Sequence, residues 1–341
     1  MGKIVTFGEI MLRLSPEGYC RLFQNDRMQA TFGGAEANVA VSLANFGEQA
    51  VFVTKLPENA VGQAAVDELR SFGVDTSYII RGGDRTGIYF MEKGAAQRSS
   101  VCIYDRAGSA FALSDREEFC WDSIFEGAEW FHFTGITPAL GETIFRICEK
   151  ACIAAKERGI RISCDLNYRA KLWTREAAEK AMNILCSYVD VCIANEEDAE
   201  SVFGIRSENT DVYSGKINKK GYEDVAQQLC GRFGFSHVAF TLRTSHSASV
   251  NDWAGMLYDG QSFYYSGVYH IDHIVDRVGG GDSFGAGLIF GLKNKYDPQR
   301  AIEFAVASSA LKHSIEGDFN RITVSEAERL AAGNGSGRVQ R

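Results

Sequence analysis

The chain has 341 residues, 45% of them hydrophobic and 23% charged, with 36 Lys and Arg against 44 Asp and Glu for a net charge of −8. That composition excludes a disordered chain, a collagen and a coiled coil. The acidic balance leaves no electrostatic footprint for nucleic acid or an anionic membrane, so neither is expected as a partner. Thirty-five glycines against four prolines suit an α/β enzyme with tight turns and close backbone approaches. The nine cysteines include no CxxC pair; buried thiols in a reducing cytoplasm are expected, not a disulfide scaffold or a zinc site. No stretch approaches the roughly 20 apolar residues of a membrane helix. The first apolar run, broken by Glu9 and Arg13, reads as a strand and not as a leader.

In chain order, a first strand is predicted at residues 4–9, followed by mixed segments over 11–31. The small-residue turn Phe32-Gly33-Gly34-Ala35-Glu36-Ala37-Asn38 then feeds a helix over 38–46. A strand at 50–55 and a helix at 62–72 follow. Residues 87–93 and 99–104 carry aromatic and β-branched side chains and read as an antiparallel pair. Beyond about residue 115, strand-like runs at 130–133, 161–165, 189–194 and 237–242 alternate with helical stretches at 141–158, 174–188, 199–203 and 222–234. This alternation predicts a mostly parallel sheet with helices on both faces. A β-rich section at 254–269 leads to two final helices at 283–293 and 298–314. The expectation is one doubly wound α/β domain over residues 1–330 with a loose Gly-rich tail at 333–341. Insertions near 11–33 and 85–113 are expected to form a β-sheet lid over the crevice at the carboxyl edge of the parallel sheet.

The strongest local signal is Asp276-Arg277-Val278-Gly279-Gly280-Gly281-Asp282-Ser283. Three glycines opening a helix present backbone N–H groups and a helix dipole to an anion. Asp282 reads either as a helix cap or as the base that takes the proton of an attacking hydroxyl in phosphoryl transfer. A GxGxxG fingerprint needs glycine where Phe284 stands, and no GxxxxGK[ST] run occurs, so dinucleotide and P-loop chemistry are not expected. His270 and His273 have HxxH spacing, but positions i and i+3 of a strand face opposite sides, so that pair is not read as a metal site.

These residues resemble the PfkB/ribokinase family of sugar kinases. Asp276…Gly279-Gly280-Gly281-Asp282…Gly285-Ala286-Gly287 is similar to its C-terminal signature, and Phe32-Gly33-Gly34-Ala35-Glu36-Ala37-Asn38-Val39-Ala40 to its N-terminal one. The resemblance runs from Ile4 to about residue 330 and implies a ribokinase-like fold with a β lid, ATP and Mg²⁺ as cofactors, and Asp282 as base beside the charge-stabilising amides of Gly279, Gly280 and Gly281. Within the family, Gly34, Tyr89, Tyr104-Asp105-Arg106, Asn167-Tyr168-Arg169 and Gly317-Asp318-Phe319 resemble the branch that phosphorylates the terminal hydroxyl of 2-keto-3-deoxygluconate. That likeness implies a sugar-acid pocket of Gly33, Gly34, Asn38, Tyr89, Tyr104, Arg106, Arg169 and Asp318. Arg106 and Arg169 are expected to bind the substrate carboxylate, because a neutral sugar needs no such pair. The nucleotide is expected at Asn167, Asn195, Thr241, Arg243, Gly279 and Gly281, and magnesium near Asp198 through water.

Three positions depart from the family pattern. Asp198 stands where glutamate is usual, Arg243 where glycine is usual, and Arg277 where a small residue or threonine is usual. A kinase of a neutral sugar such as fructose or ribose, or a sugar-acid sensor without catalysis, are the alternatives. A homodimer paired through the lid edges is the expected assembly.

Overall fold

The computed structural model describes residues 2–195, 197–206 and 219–335. Strand β1 (Lys3–Phe7) is followed by β2 (Met11–Pro16) and β3 (Met28–Gly33), helix α1 (Ala35–Asn45), β4 (Ala50–Val53), β5 (Lys55–Leu56), α2 (Ala60–Ser71), β6 (Ile80–Arg81), β7 (Ile88–Glu92) and β8 (Val101–Asp105). The next stretch holds α3 (Trp121–Ile124), β9 (Ala128–Thr134), α4 (Glu142–Glu157), β10 (Arg161–Asp165), α5 (Arg175–Cys186), β11 (Val191–Ala194), α6 (Asp198–Phe203) and α7 (Lys219–Phe233). The last part runs β12 (His237–Ser245), β13 (Asn251–Tyr258), β14 (Phe263–Tyr265), β15 (Tyr269–Ile271), α8 (Gly280–Lys293), α9 (Pro298–Lys312) and α10 (Val324–Ala331).

The central sheet has the order β14-β13-β12-β11-β10-β9-β1-β4, with β15 also on β13. From β12 to β4 every neighbouring pair is parallel, and the pairs made by β13 are antiparallel. Strand alternation divides the core into two layers. Val5, Phe7, Phe131 and Phe133 pack on one face, and Ile4 and Trp130 on the other, as a period of two dictates when both faces are covered. All nine cysteines are free thiols. Among the described residues no helix is long and apolar enough to cross a membrane.

The stretch 11–31, expected as mixed segments, is mostly the hairpin of β2 and β3. With β7 and β8 it makes a separate four-stranded sheet in the order β3-β2-β7-β8. Two helix starts also differ from expectation. α1 begins at Ala35 and α8 at Gly280, so Asn38 and Asp282 both lie in or beside a first turn. The terminal helix α10 was not expected, although Thr323 and Glu326 form a capping box that marks it. Of the tail expected to be loose, 336–341 lies outside the described residues, as does Glu196 in the run between β11 and α6.

The lid sheet is fastened to the body by Arg13, which is 2% exposed. Its Nη1 donates to Asp318 Oδ1 at 2.7 Å and its Nη2 to Asp276 Oδ2 at 2.6 Å. Tyr89, its registered neighbour on β7, donates its hydroxyl to the same Asp318 Oδ1 at 2.5 Å. Burial opposes the Arg13 charge, but Asp276 and Asp318 outweigh it and raise its pKa. Replacing Arg13 with Met leaves two buried carboxylates with no guanidinium between them. Unfolding free energy in urea is expected to fall by about 3–5 kcal/mol; a loss below about 1 kcal/mol would show that the latch is not holding the lid.

Candidate active site

A cavity of about 410 Å³ opens between the lid and the carboxyl ends of β1, β10 and β11. Asp282 stands at its floor in the first turn of α8. Helix geometry leaves the N–H groups of this first turn without partners at i−4; the Gly280 N–H donates instead to the Arg277 carbonyl at 3.3 Å. The turn is held from behind. Ser309 Oγ donates to the Gly280 carbonyl at 2.6 Å, and Asn320 Nδ2 donates to Ser283 Oγ at 2.5 Å. Asp276 accepts N–H bonds from Val278 at 3.1 Å and Gly317 at 3.2 Å, so the carboxylate that binds Arg13 also shapes the loop before the helix.

The three glycines are glycine for different reasons. Gly279 has φ +81°, and a Cβ there would lie 2.2 Å from the Asp318 carbonyl. A Cβ on Gly280 would touch the His313 ring at 3.0 Å. At Gly281 a Cβ would have nothing within 4 Å, so the room left there faces the cavity and not the protein.

Asn38 Nδ2 donates to Asp282 Oδ2 at 2.7 Å, which orients the carboxyl and leaves Oδ1 toward the cavity. Burial raises the Asp282 pKa to about 7, against the lowering effect of the Asn38 bond. Asp282 is thus more than a cap: α8 shows no side-chain cap bond at its start.

The two arginines expected at the substrate carboxylate are divided by the structure. Arg106 lines the cavity, but its Nε and Nη2 both donate to Glu9 Oε2, at 2.8 and 2.5 Å. Its charge is already balanced. Arg169 is exposed to the cavity, bonds only the Tyr168 carbonyl, and has no ion-pair partner among the described residues. Tyr104 faces the cavity stacked on Tyr89, with ring centroids 5.8 Å apart, whereas the Tyr89 hydroxyl is spent on Asp318. Asp318 itself is a latch residue. Gly34 lines the cavity, and a Cβ there would meet the Glu9 carbonyl at 2.0 Å; Gly33 is set back, leaving space for the Asp318 carboxylate.

At the other end of the cavity, Asn167, Asn195, Thr241 and Arg243 all line the wall. Asn167 takes φ +39°, a conformation asparagine tolerates better than most residues. Asn195 Oδ1 accepts from the Glu197 and Asp198 N–H groups, so its oxygen caps the following turn while its Nδ2 stays without a protein partner among the described residues. Arg243 has no hydrogen bond or ion pair among the described residues either; burial, and then the Arg243 charge, lowers the pKa of the neighbouring Arg277. Trp253, opposite Arg243 in the ladder, is 6% exposed with its indole N–H unpartnered. Two guanidinium groups, an indole N–H and free amide donors make this wall a site for an anion.

Asp198 differs from expectation. It is 3% exposed, and its two oxygens accept the Tyr168 N–H at 3.0 Å and the Asn195 N–H at 3.1 Å, so it braces the loops behind the wall. The carboxylate that reaches the cavity is Asp165, at the end of β10. Its pKa is raised by burial, then by Asp198 and Asp282. Sequence reading missed Asp165, Glu9, Arg13 and Glu36. Glu36 is buried and accepts from the Thr134 N–H and from the Thr134 and Thr137 hydroxyls, which ties α1 to the end of β9.

The model of the pfkB family of carbohydrate kinases matches residues 1–320. The chain belongs to this family. It is similar to a solved 2-dehydro-3-deoxygluconokinase from Thermotoga maritima, at 52% identity and a TM-score of 0.94, covering 98% of this chain and all of that one. It is 33% identical to a 2-dehydro-3-deoxygalactonokinase of Haloferax volcanii, over 98% of each chain. A pfkB-family carbohydrate kinase from Listeria grayi matches at 36% identity and a TM-score of 0.90, over 97% of this chain and 99% of that one. The two solved structures share the mostly parallel α/β fold described above.

The glycines give a direct check on this site. Gly281→Ala is expected to leave the melting temperature unchanged while turnover collapses, because the new methyl group meets only ligand space. Gly279→Ala is expected to cost roughly 1–3 kcal/mol of stability or more through its strained φ. Thermal unfolding and a kinase assay on both variants separate the two effects; equal loss of stability would contradict this division of roles.

Proposed function

We propose that the chain is an ATP-dependent kinase that phosphorylates the terminal (6-) hydroxyl of 2-keto-3-deoxygluconate, giving 2-keto-3-deoxy-6-phosphogluconate and ADP. One observation carries the reading. A single cavity holds a carboxylate tuned to about pKa 7, Asp282, and an unpaired guanidinium, Arg169, for a substrate carboxylate. A neutral sugar offers Arg169 no carboxylate to bind. The name of the Thermotoga maritima relative supports the same choice. The galactonate epimer is the second reading, since the Haloferax volcanii relative is named for it.

In this reading the sugar acid lies under Tyr104 with its carboxylate toward Arg169 and its terminal hydroxyl at Asp282 Oδ1. Asn38 holds the other carboxyl oxygen, so the proton-accepting lone pair is fixed in direction. As the hydroxyl attacks the γ-phosphorus, its proton passes to Asp282, the bond to the β-phosphate oxygen breaks, and ADP leaves with that electron pair. The first-turn amides of 279–281 receive the charge on the transferred group. Thr241, Asn195, Arg243, Arg277 and Trp253 bind the nucleotide phosphates. Asp165 fits a hard cation: it is an oxygen donor whose pKa is raised beside two further carboxylates, which a divalent ion relieves. Asp165 through water would hold Mg²⁺, braced by Asp198 from behind; the ion, when bound, screens phosphate charge.

The whole of 1–330 is proposed to act as one catalytic unit, with 11–33 and 85–113 as its lid, in the cytoplasm. The lid edge strand β8 exposes Val101 and Ile103, 42% and 50% exposed. A homodimer through this edge is proposed, which light scattering reads as a doubled mass.

Only the ionised Asp282 accepts a proton. The slope of kcat/KM is therefore expected to be tenfold per pH unit below about 7 and flat above it. Asp282→Asn is expected to lose about 10²- to 10⁴-fold in turnover while calorimetry still shows sugar-acid binding. Near-normal turnover in that variant would remove Asp282 from the mechanism.

A further inference from the structure

We propose that His246, Asp252 and His270 form a binding site for one divalent transition-metal ion, separate from the active-site cavity. The three residues come from neighbouring strands. Asp252 on β13 stands opposite His270 on β15 and opposite Thr244 on β12. His246 lies two residues beyond Thr244, so its side chain falls on the same face of the sheet. Asp252 Oδ1 is 2.6 Å from His270 Nδ1, and Oδ2 is 2.7 Å from His246 Nε2. All three ligand atoms lie within 4.8 Å of one another. The neighbours of Asp252 along β13, Asn251 and Trp253, point the other way and line the cavity.

Two imidazole nitrogens and a carboxylate oxygen are the donors that zinc and its neighbours in the first transition row take, with a fourth position left to water. The ion would take the place of the imidazole–carboxylate hydrogen bonds now made to Asp252, each neutral ring keeping its proton on the other nitrogen. Tetrahedral ligands at about 2.1 Å from an ion stand about 3.4 Å apart. Side-chain rotation closes the difference, since the backbones are fixed by the ladder and the side chains are 47%, 29% and 61% exposed for His246, Asp252 and His270. His273, the other half of the HxxH spacing, is not in the group.

An ion here would brace the turn joining β12 to β13. The N–H of Ala248 in that turn donates to Ala96 of the lid at 2.8 Å, and its carbonyl accepts Arg277 Nη2 at 2.6 Å. Metal occupancy would therefore stiffen the place where lid and catalytic loop meet.

The test is calorimetric titration of the chelator-stripped full-length protein with ZnCl₂, with thermal unfolding measured in parallel. The expected result is one saturable equivalent and a raised Tm. His246→Ala and His270→Ala should each weaken binding by about tenfold or more, as should Asp252→Asn, which keeps the side-chain shape; His273→Ala should change nothing. The absence of a saturable equivalent, or binding that survives the His246→Ala, His270→Ala double variant, would overturn the site.

Discussion

Arg13 is the point on which the rest of the site depends. Its guanidinium lies between Asp276 and Asp318, and both carboxylates have second duties. Asp276 organises the turn that leads into α8, and Asp318 receives the Tyr89 hydroxyl from the lid. Lys312, fully buried nearby, feels both carboxylates. Burial lowers the Lys312 pKa while the two carboxylates oppose that, so Arg13 is the group that holds a full charge between them in a region closed to water. Such a cluster adds little net stability over an apolar packing of the same shape, but it tolerates the loss of no member. Its value is geometric: the lid strands and the catalytic turn are positioned by the same pair of carboxylates.

That coupling explains how the chemistry is placed. The β3-β2-β7-β8 sheet borders the cavity; in the proposed kinase it would keep water from the phosphoryl group, which an open site would transfer to it. Burial raises the pKa of Asp282, because a carboxyl withdrawn from water holds its proton more tightly. The sign for folding follows. The group's folded pKa is raised, so its contribution to stability is full below the ordinary carboxylate range and is lost as pH rises through about 7. A folding cost accepted at neutral pH is what a residue kept for proton transfer should show.

Much of this was legible in the sequence, and the exceptions share a cause. Alternating strands and helices gave the parallel sheet, and the Gly279-Gly280-Gly281-Asp282 run marked the floor of the site, because those signals are local. Arg13 carries no local signal: it sits in a strand-like run, and its partners lie 263 and 305 residues away. Arg106 looked equivalent to Arg169 because Glu9, 97 residues off, cannot be paired with it by spacing. Asp198 looked like the metal-side acid, yet its oxygens are consumed by backbone amides that only the folded loops bring near. The missed helix α10 is different in kind, since its capping box was present in the residues themselves.

The most direct measurement is a coupled ADP-release assay with Mg-ATP on 2-keto-3-deoxygluconate, its galactonate epimer, gluconate, fructose, ribose and adenosine. Turnover on the keto-deoxy acids and none on fructose, ribose or adenosine is the expected result, since only a sugar acid brings both a terminal hydroxyl for Asp282 and a carboxylate for Arg169. Comparable kcat/KM on fructose or ribose would contradict the role given to Arg169, and sugar-acid binding without turnover on any substrate would contradict the kinase itself.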